Sequence, residues 1–407
     1  MAAMVVMAAS PRLWIVVGLI AYMWTFSTWT RGVECVVPSS SGASLTATLE
    51  QRAAVAEQTQ AWALGLSSKH SSLSPDIDRS LERGTVTLPP CNATVTKAAV
   101  VGNGTYRTVQ DAINNIPTSR GNRRWVICVR AGVYVEKVRL MSSNTYVTLV
   151  GASRDPKKVI ISWNDTAGTA DPTSTTGGTL GTFRSYTFAA EASYFTAMYM
   201  TFRNTAPRPV DGSQNGQAVA LRATGDYISF FRCDFWGYQD TLYAHQGIQF
   251  YKNCNVRGSV DFIFGNATAW FYKCYLFADV VTKGFLTAQS RGAVSQGTGF
   301  AFYGGSVKGT GVVYLGRAWG VASRVVFFKT FLDSIIAPAG WDDWGKPTDA
   351  IFYAEYKCSG PGSASSGRVN WSIQLSDAEA RIFGSCDFIS AKQWQGSSGL
   401  PSAGLPC

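Results

Sequence analysis

Apolar and polar positions along this chain recur with a period longer than any helical or strand repeat. Phe230-Phe231-Arg232-Cys233, Phe250-Tyr251-Lys252-Asn253-Cys254 and Phe271-Tyr272-Lys273-Cys274 repeat an aromatic pair, a cation and a cysteine. The aromatic pairs are 20 and then 21 residues apart, the cysteines 21 and then 20. Looser copies run from Tyr194-Phe195 to Phe202, at Phe300-Ala301-Phe302-Tyr303 and at Val326-Phe327-Phe328-Lys329. Each run is short, dense in Phe, Tyr, Val and Ile, and broken by Gly or Asn, which favours strands and turns. The apolar spacings of three and four that a helical repeat requires are missing. Repeats of about 20 to 25 residues built from short strands stack into a solenoid. The expected fold is all-β, a right-handed parallel β-helix. Residues one coil apart then lie about 4.8 Å from each other, and the aromatic pairs, Phe250 included, build an interior stack.

A polar beat runs through the same region. Gln217, Gln239 and Asp261 are each 22 residues apart, with Asp240 beside the middle one, in the segments GQAVALR, GYQDTLYAH and SVDFIFGN. Stacked coils would bring Gln217, Gln239 and Asp261 into one column, with Asp240 alongside Asp261. Strict alternation sends Gln239 and Asp240 to opposite faces of a strand. Both reach one cleft only if the strand ends or bulges there.

Around this core the chain divides into four parts. Residues 1–31 pair Arg12 with an apolar run from Leu13 to Phe26, the length of a secretory h-region and short for a membrane span. No A-x-A site follows, so an uncleaved signal anchor is the alternative to a cleaved signal peptide. Residues 32–97 read as a linker or stem containing one helix, Leu49 to Leu66. Residues 98–394 hold the repeat. They open with GNGTYRTVQDAINNIP, a turn and a short amphipathic helix stopped by Pro117, suited to capping the first coil. Trp371 to Phe388 reads as a closing helix and loop, and residues 395–407 as a loose tail.

Composition narrows the picture. Charged residues make up 15% and hydrophobic residues 46%, so an extensive core is available and general disorder is excluded. The net charge of +10 is spread without a long Lys/Arg cluster. Nucleic acid is one reading of that balance, and a diffuse positive field suits an acidic polymer of another kind at least as well. Five Asn-x-Ser/Thr sequons (Asn92, Asn103, Asn164, Asn266, Asn370) fit a secretory route, with Asn266 expected to be buried and unmodified. The nine cysteines show no zinc-binding spacing. Cys233, Cys254 and Cys274 would share a column, as one bridge with a spare thiol or as three small buried thiols.

Two carboxylates on adjacent coils split each other's titration, which yields an ionised nucleophile and a protonated acid from the same chemistry. Amide side chains beside them are donors for a developing oxyanion. The pair alone does not name the reaction, since glycosidases also use two carboxylates. A ladder of Asn, Asp and Gln that merely satisfies strand ends is the alternative. A Ser esterase would need a GxSxG elbow, which is absent.

Five motifs taken together narrow these options: Gly132–Val138 (GVYVEKV), GQAVAL, YQDTLY, VDFIFG and Leu315–Trp319 (LGRAW). In this order they resemble the plant-type pectinesterases, or pectin methylesterases, over roughly residues 98 to 394. The resemblance implies a right-handed parallel β-helix that removes methyl esters from pectin in the cell wall. It implies Asp261 as nucleophile, Asp240 as acid and base, Gln217 and Gln239 as oxyanion donors, and Arg317 as the partner orienting Asp261. Trp319, Thr182, Phe183 and Trp341 are the expected substrate contacts. No cofactor or metal is expected. The implied protein is a secreted monomer of the cell wall (or tethered by its anchor), with pectin as substrate and a pectinesterase inhibitor protein as partner. Two features depart from the family. Ala318 stands where Pro is common, and residues 32–97 are too short for the inhibitor-like pro-domain of many relatives. Polygalacturonases and pectate lyases would share the solenoid. The first would show a GHG-type histidine, whereas only His70 and His245 are present; the second would depend on Ca²⁺.

Overall fold

The computed structural model describes residues 90–98, 102–210 and 212–399. The expectations for residues 1–31 and for a helix over Leu49 to Leu66 lie outside them. Three sheets of 12, 8 and 8 strands run through the repeat region. Within each, successive strands come from successive coils, and neighbours pair in parallel, as Ile228–Phe231 pairs with Ile248–Lys252 and that with Thr268–Tyr272. This is the right-handed parallel β-helix.

The repeat sets the register at the corners. Tyr199, Arg232, Asn253, Lys273, Lys329 and Lys357 all adopt left-handed backbone, with φ between 46° and 57°. They stack, Arg232 donating its N–H to Lys252 O, Asn253 to Tyr272 O and Lys273 to Tyr303 O. A corner residue follows the last strand residue and precedes the cysteine, so alignment on the cysteines is correct. Alignment on the aromatic pairs is one residue out in the middle coil, where Tyr251, not Phe250, pairs with Phe230. A slip of one residue exchanges the two faces of a strand. Phe250 is accordingly fully buried, but on the outer face of the 12-stranded sheet, a correction to the interior placement expected from sequence.

The interior stack is Phe230, Tyr251, Phe271, Phe302 and Phe327, with successive ring centroids 5.0, 4.5, 4.5 and 4.5 Å apart and planes within 13° of parallel. Buried aromatic pairs at this spacing add about 1 kcal/mol beyond their area. Phe250 and Trp270 join a second cluster with Phe383, Phe388 and Trp394 of the C-terminal segment. That segment holds a short helix, Asp377–Ala380, closed by a capping box between Ser376 and Glu379. Of the expected tail only residues 395–399 are described, and there the Ser397 and Ser398 carbonyls accept from Arg124 and Thr196.

At the other end, the Val109–Asn114 helix is capped by Thr108 and buries Val109, Ala112 and Ile113 against the main core. Glu136 accepts from the free N–H groups of Val109 and Gln110 at 2.8 and 2.9 Å, placing negative charge at the positive end of the helix. Cys91 and Cys128 form a disulfide. Cys233, Cys254 and Cys274 are buried free thiols, each donating to a carbonyl of the preceding coil at 3.4 or 3.5 Å. Asn266 is half-buried, and its side chain accepts from Thr298 Oγ1 at 2.6 Å.

Candidate active site

Asp240 and Asp261 lie in the turns that lead into the Leu242–Ala244 and Ile263–Gly265 strands. Both have left-handed backbone, φ 63° and 50°. That breaks the strand alternation, so Gln239 and Asp240 face one cleft although they are adjacent in sequence. Small residues make the turns fit. A Cβ on Gly258 would lie 2.1 Å from the Phe262 side chain, closer than any packing tolerates.

The stacking differs from the even beat of 22. Ala218 donates to Gln239 O at 3.1 Å, and Asp240 to Val260 O at 3.0 Å. In a parallel ladder these bonds place Gln217 over Gln239 and Asp240 over Asp261. Gln239 therefore sits over Val260, and the single column of Gln217, Gln239 and Asp261 does not form. The odd residue is taken up at Ala220 and Leu221, whose N–H groups share Thr241 O at 2.8 and 3.3 Å.

Arg317 reaches Asp261 with a two-pronged pair, Nε to Oδ1 at 2.7 Å and Nη2 to Oδ2 at 2.5 Å. Its guanidinium lies between the rings of Phe285 and Trp344, 4.4 and 3.7 Å from their centroids. Such a fork held between two π faces has little freedom to leave the carboxylate. Burial pushes the Asp240 carboxyl well above its usual range, and the charge of Asp261 adds to this against an opposing Arg317. Burial also raises Asp261, but hydrogen bonds and charge from Arg317 oppose it. Asp240 is thus the weaker acid of the two. The side chains of Gln217 and Gln239 make no hydrogen bond among the described residues, and Gln217 Oε1 is buried without a partner.

A cleft of about 730 Å³ brings Gln217, Gln239, Asp240, Asp261 and Arg317 together, with Thr182 and Trp319 on its wall. The family model for pectinesterases matches residues 93–392. The chain belongs to the pectinesterase family. It is similar to pectinesterase 31 of Arabidopsis thaliana, with 42% identity over 301 residues, 72% of this chain and 91% of that protein. Among solved structures it resembles the pectin methylesterase from carrot, with 34% identity and a TM-score of 0.69, covering 78% of this chain and 99% of that one. It also resembles a pectin methylesterase crystallised in complex with a hexasaccharide, at 29% identity and a TM-score of 0.64, covering 74% and 98%. The protein is an enzyme, a carboxylic ester hydrolase of the pectinesterase type.

Around the five central residues of this pectinesterase, the other expected contacts divide. Trp319 is 41% exposed, with its ring 6.1 Å from Phe264. Phe183 lies beside the cleft, its ring over the Arg222 guanidinium at 3.6 Å and edge-on to Tyr243 at 6.4 Å. Trp341 does not reach the cleft. It is 1% exposed, stacks on Tyr353 at 4.5 Å and fills core space beside Gly316, which has no side chain to exclude it. Trp344, three residues on, lines the cleft instead.

Sequence reasoning missed Tyr243 and Phe264, which stack at 4.1 Å on the cleft floor. A signal was present, because each stands three residues after one of the aspartates. They continue one outward column, Arg222, Tyr243, Phe264, Ala288, Arg317 and Asp342, read directly from the strand register. Also missed were Arg208 and Lys283 on the rims of the cleft. Nothing in their sequence context separates them from other surface cations.

Proposed function

We propose that this pectinesterase removes methyl esters from the galacturonate units of pectin through a covalent intermediate on Asp261. The observation that carries the reading is the buried pair of unlike carboxylates: Asp261 forked by Arg317, Asp240 raised beside it. An Asp261 oxygen attacks the C6 carbonyl carbon, and the side-chain amides of Gln217 and Gln239 donate to the oxyanion that forms. As the C6–O bond to the methoxy group breaks, Asp240 gives its proton to the departing oxygen and methanol leaves. An anhydride between C6 and Asp261 remains. Asp240, now ionised, takes a proton from water, whose oxygen attacks C6; the C6–O bond to Asp261 breaks, and both aspartates return to their starting states. Trp319 offers a flat face for a sugar ring, and Thr182 and Phe183 border the same groove.

The enzyme's place of action in this reading is the cell wall, reached by secretion, with Asn92, Asn103, Asn164 and Asn370 exposed for glycosylation. A separate inhibitor protein would act by covering the cleft. The test is methanol release from esterified pectin, with and without a chelator. Release insensitive to the chelator is expected. No release, or a shortening of the polymer without methanol, would contradict the proposal.

A further inference from the structure

The outer face of the sheet that precedes the cleft carries a regular ladder that the chemistry above does not use. Arg203, Trp236, Arg257, Phe277 and Lys308 pair in register across five consecutive strands. Their strand neighbours Phe202, Phe235, Val256, Leu276 and Val307 are buried in the main core, so the ladder residues point outward. Cation and aromatic alternate without a break. Arg257 lies 6.0 Å from the Trp236 ring and 5.8 Å from Phe277, and Lys308 lies 5.5 Å from Phe331.

None of the five is fully buried, and Lys308 is exposed. Trp236 and Phe277 are half-buried, so each leaves part of its ring at the surface between cations. Among the described residues neither Arg203 nor Lys308 has an ion-pair partner. Arg203 only donates to Ser162 Oγ at 3.4 Å. The row also connects to the cleft. Asp279 holds Arg257 at 2.5 Å with one oxygen and Arg208, on the cleft rim, at 2.5 Å with the other.

We infer that this ladder is a second binding surface for the polymer, recognising stretches of galacturonan whose carboxylates are already free. The inference rests on the pectinesterase reading, which makes a polyanion of this kind the enzyme's own product. Free cations meet the carboxylates, and the intervening rings offer apolar faces to the sugars. Rungs at the inter-strand spacing of about 4.8 Å present about 19 Å of surface, enough for several sugar units. A chain held there and in the cleft is bound at two linked sites, so its release is slower than from either alone. Esterified stretches lack the charge and gain nothing from the ladder. The surface therefore directs the enzyme to ester groups that border de-esterified ones.

Two variants test this while leaving Arg257, Asp279 and Arg208 themselves in place: Arg203→Gln with Lys308→Gln, and separately Trp236→Ala. Binding is measured to polygalacturonate, to its fully methyl-esterified counterpart and to dextran sulfate, with Asp261→Asn as a common background to prevent turnover. Methanol release from a short esterified oligogalacturonate is measured with Asp261 intact. Each ladder variant is expected to bind polygalacturonate about tenfold more weakly, with no change towards the esterified polymer and unchanged kcat/KM on the oligomer. Undiminished polygalacturonate binding in both variants would overturn the inference, as would an equal loss of oligomer turnover. Dextran sulfate bound as tightly as polygalacturonate, with no effect of Trp236→Ala, would reduce the ladder to charge alone and also overturn it. Wild-type protein that releases no methanol would instead overturn the pectinesterase reading.

Discussion

The interior aromatic stack and the cleft come from the same coils, yet they are built to opposite ends. In the stack, each ring meets a near-parallel ring one coil away at 4.5 to 5.0 Å. In the cleft the stacked pair differs from one step to the next, amide over amide (Gln217 over Gln239) and then carboxylate over carboxylate (Asp240 over Asp261). Like stacked on like is favourable for rings and unfavourable for charges. Burial and the charge of Asp261 push the Asp240 carboxyl up, which favours its neutral form, and Arg317 answers the charge of Asp261. A solenoid turns sequence periodicity into proximity, stabilising in the core and reactive at the surface.

That contrast breaks most visibly in the core. Phe271→Ala removes a ring between Tyr251 and Phe302 and is expected to cost about 4 kcal/mol in urea unfolding. A loss below about 1 kcal/mol would show that the stack is not cooperative. Next comes Arg317→Met, which leaves a buried carboxylate without its partner. The expected cost is about 3 kcal/mol at neutral pH, with the acid limb of the pH–rate profile moved to higher pH because Asp261 loses its counter-charge. An unmoved limb would mean that Arg317 does not set the ionisation of Asp261.

A smaller effect, of opposite sign, is expected for Asp240→Asn. A carboxyl raised in the folded state binds its proton more tightly there than in the unfolded chain, whose value is near 3.8. Its contribution to stability is complete below that value and is lost as pH rises through the folded pKa. Replacing it with a neutral amide should raise the Tm at pH 7 and leave it little changed near pH 3. A lower Tm at pH 7 would contradict the burial argument. The smallest effect is expected from Trp344→Ala, which uncovers one face of Arg317 and should raise KM about threefold.

The sequence and structure agree where periodicity alone decides. The β-helical coil and the column of Cys233, Cys254 and Cys274 follow from a repeat of about 21 residues. Register within a coil was harder to read. The Phe250-Tyr251 pair looks equivalent to Phe230-Phe231 but is offset by one, because Lys252 and Asn253 stand where the other coils have a single residue, the corner itself, before the cysteine. The even spacing of Gln217, Gln239 and Asp261 misled for a related reason. The shared acceptor at Thr241 changes the coil offset between one step and the next. Trp341 and Trp344 could not be separated either, since that depends on the gap left by Gly316. The central residues were legible because they fall in motifs, and motifs do not depend on register.

The mechanism rests on a division of labour between two chemically identical side chains. It is tested by single-turnover kinetics with an activated galacturonate ester whose leaving group needs no proton. Asp240→Asn retains the nucleophile and should release that group in the first turnover, then stall before hydrolysis. Asp261→Asn lacks the attacking oxygen and should release none. Release from Asp261→Asn but not from Asp240→Asn would exchange the two roles, and full turnover by either variant would contradict the covalent mechanism.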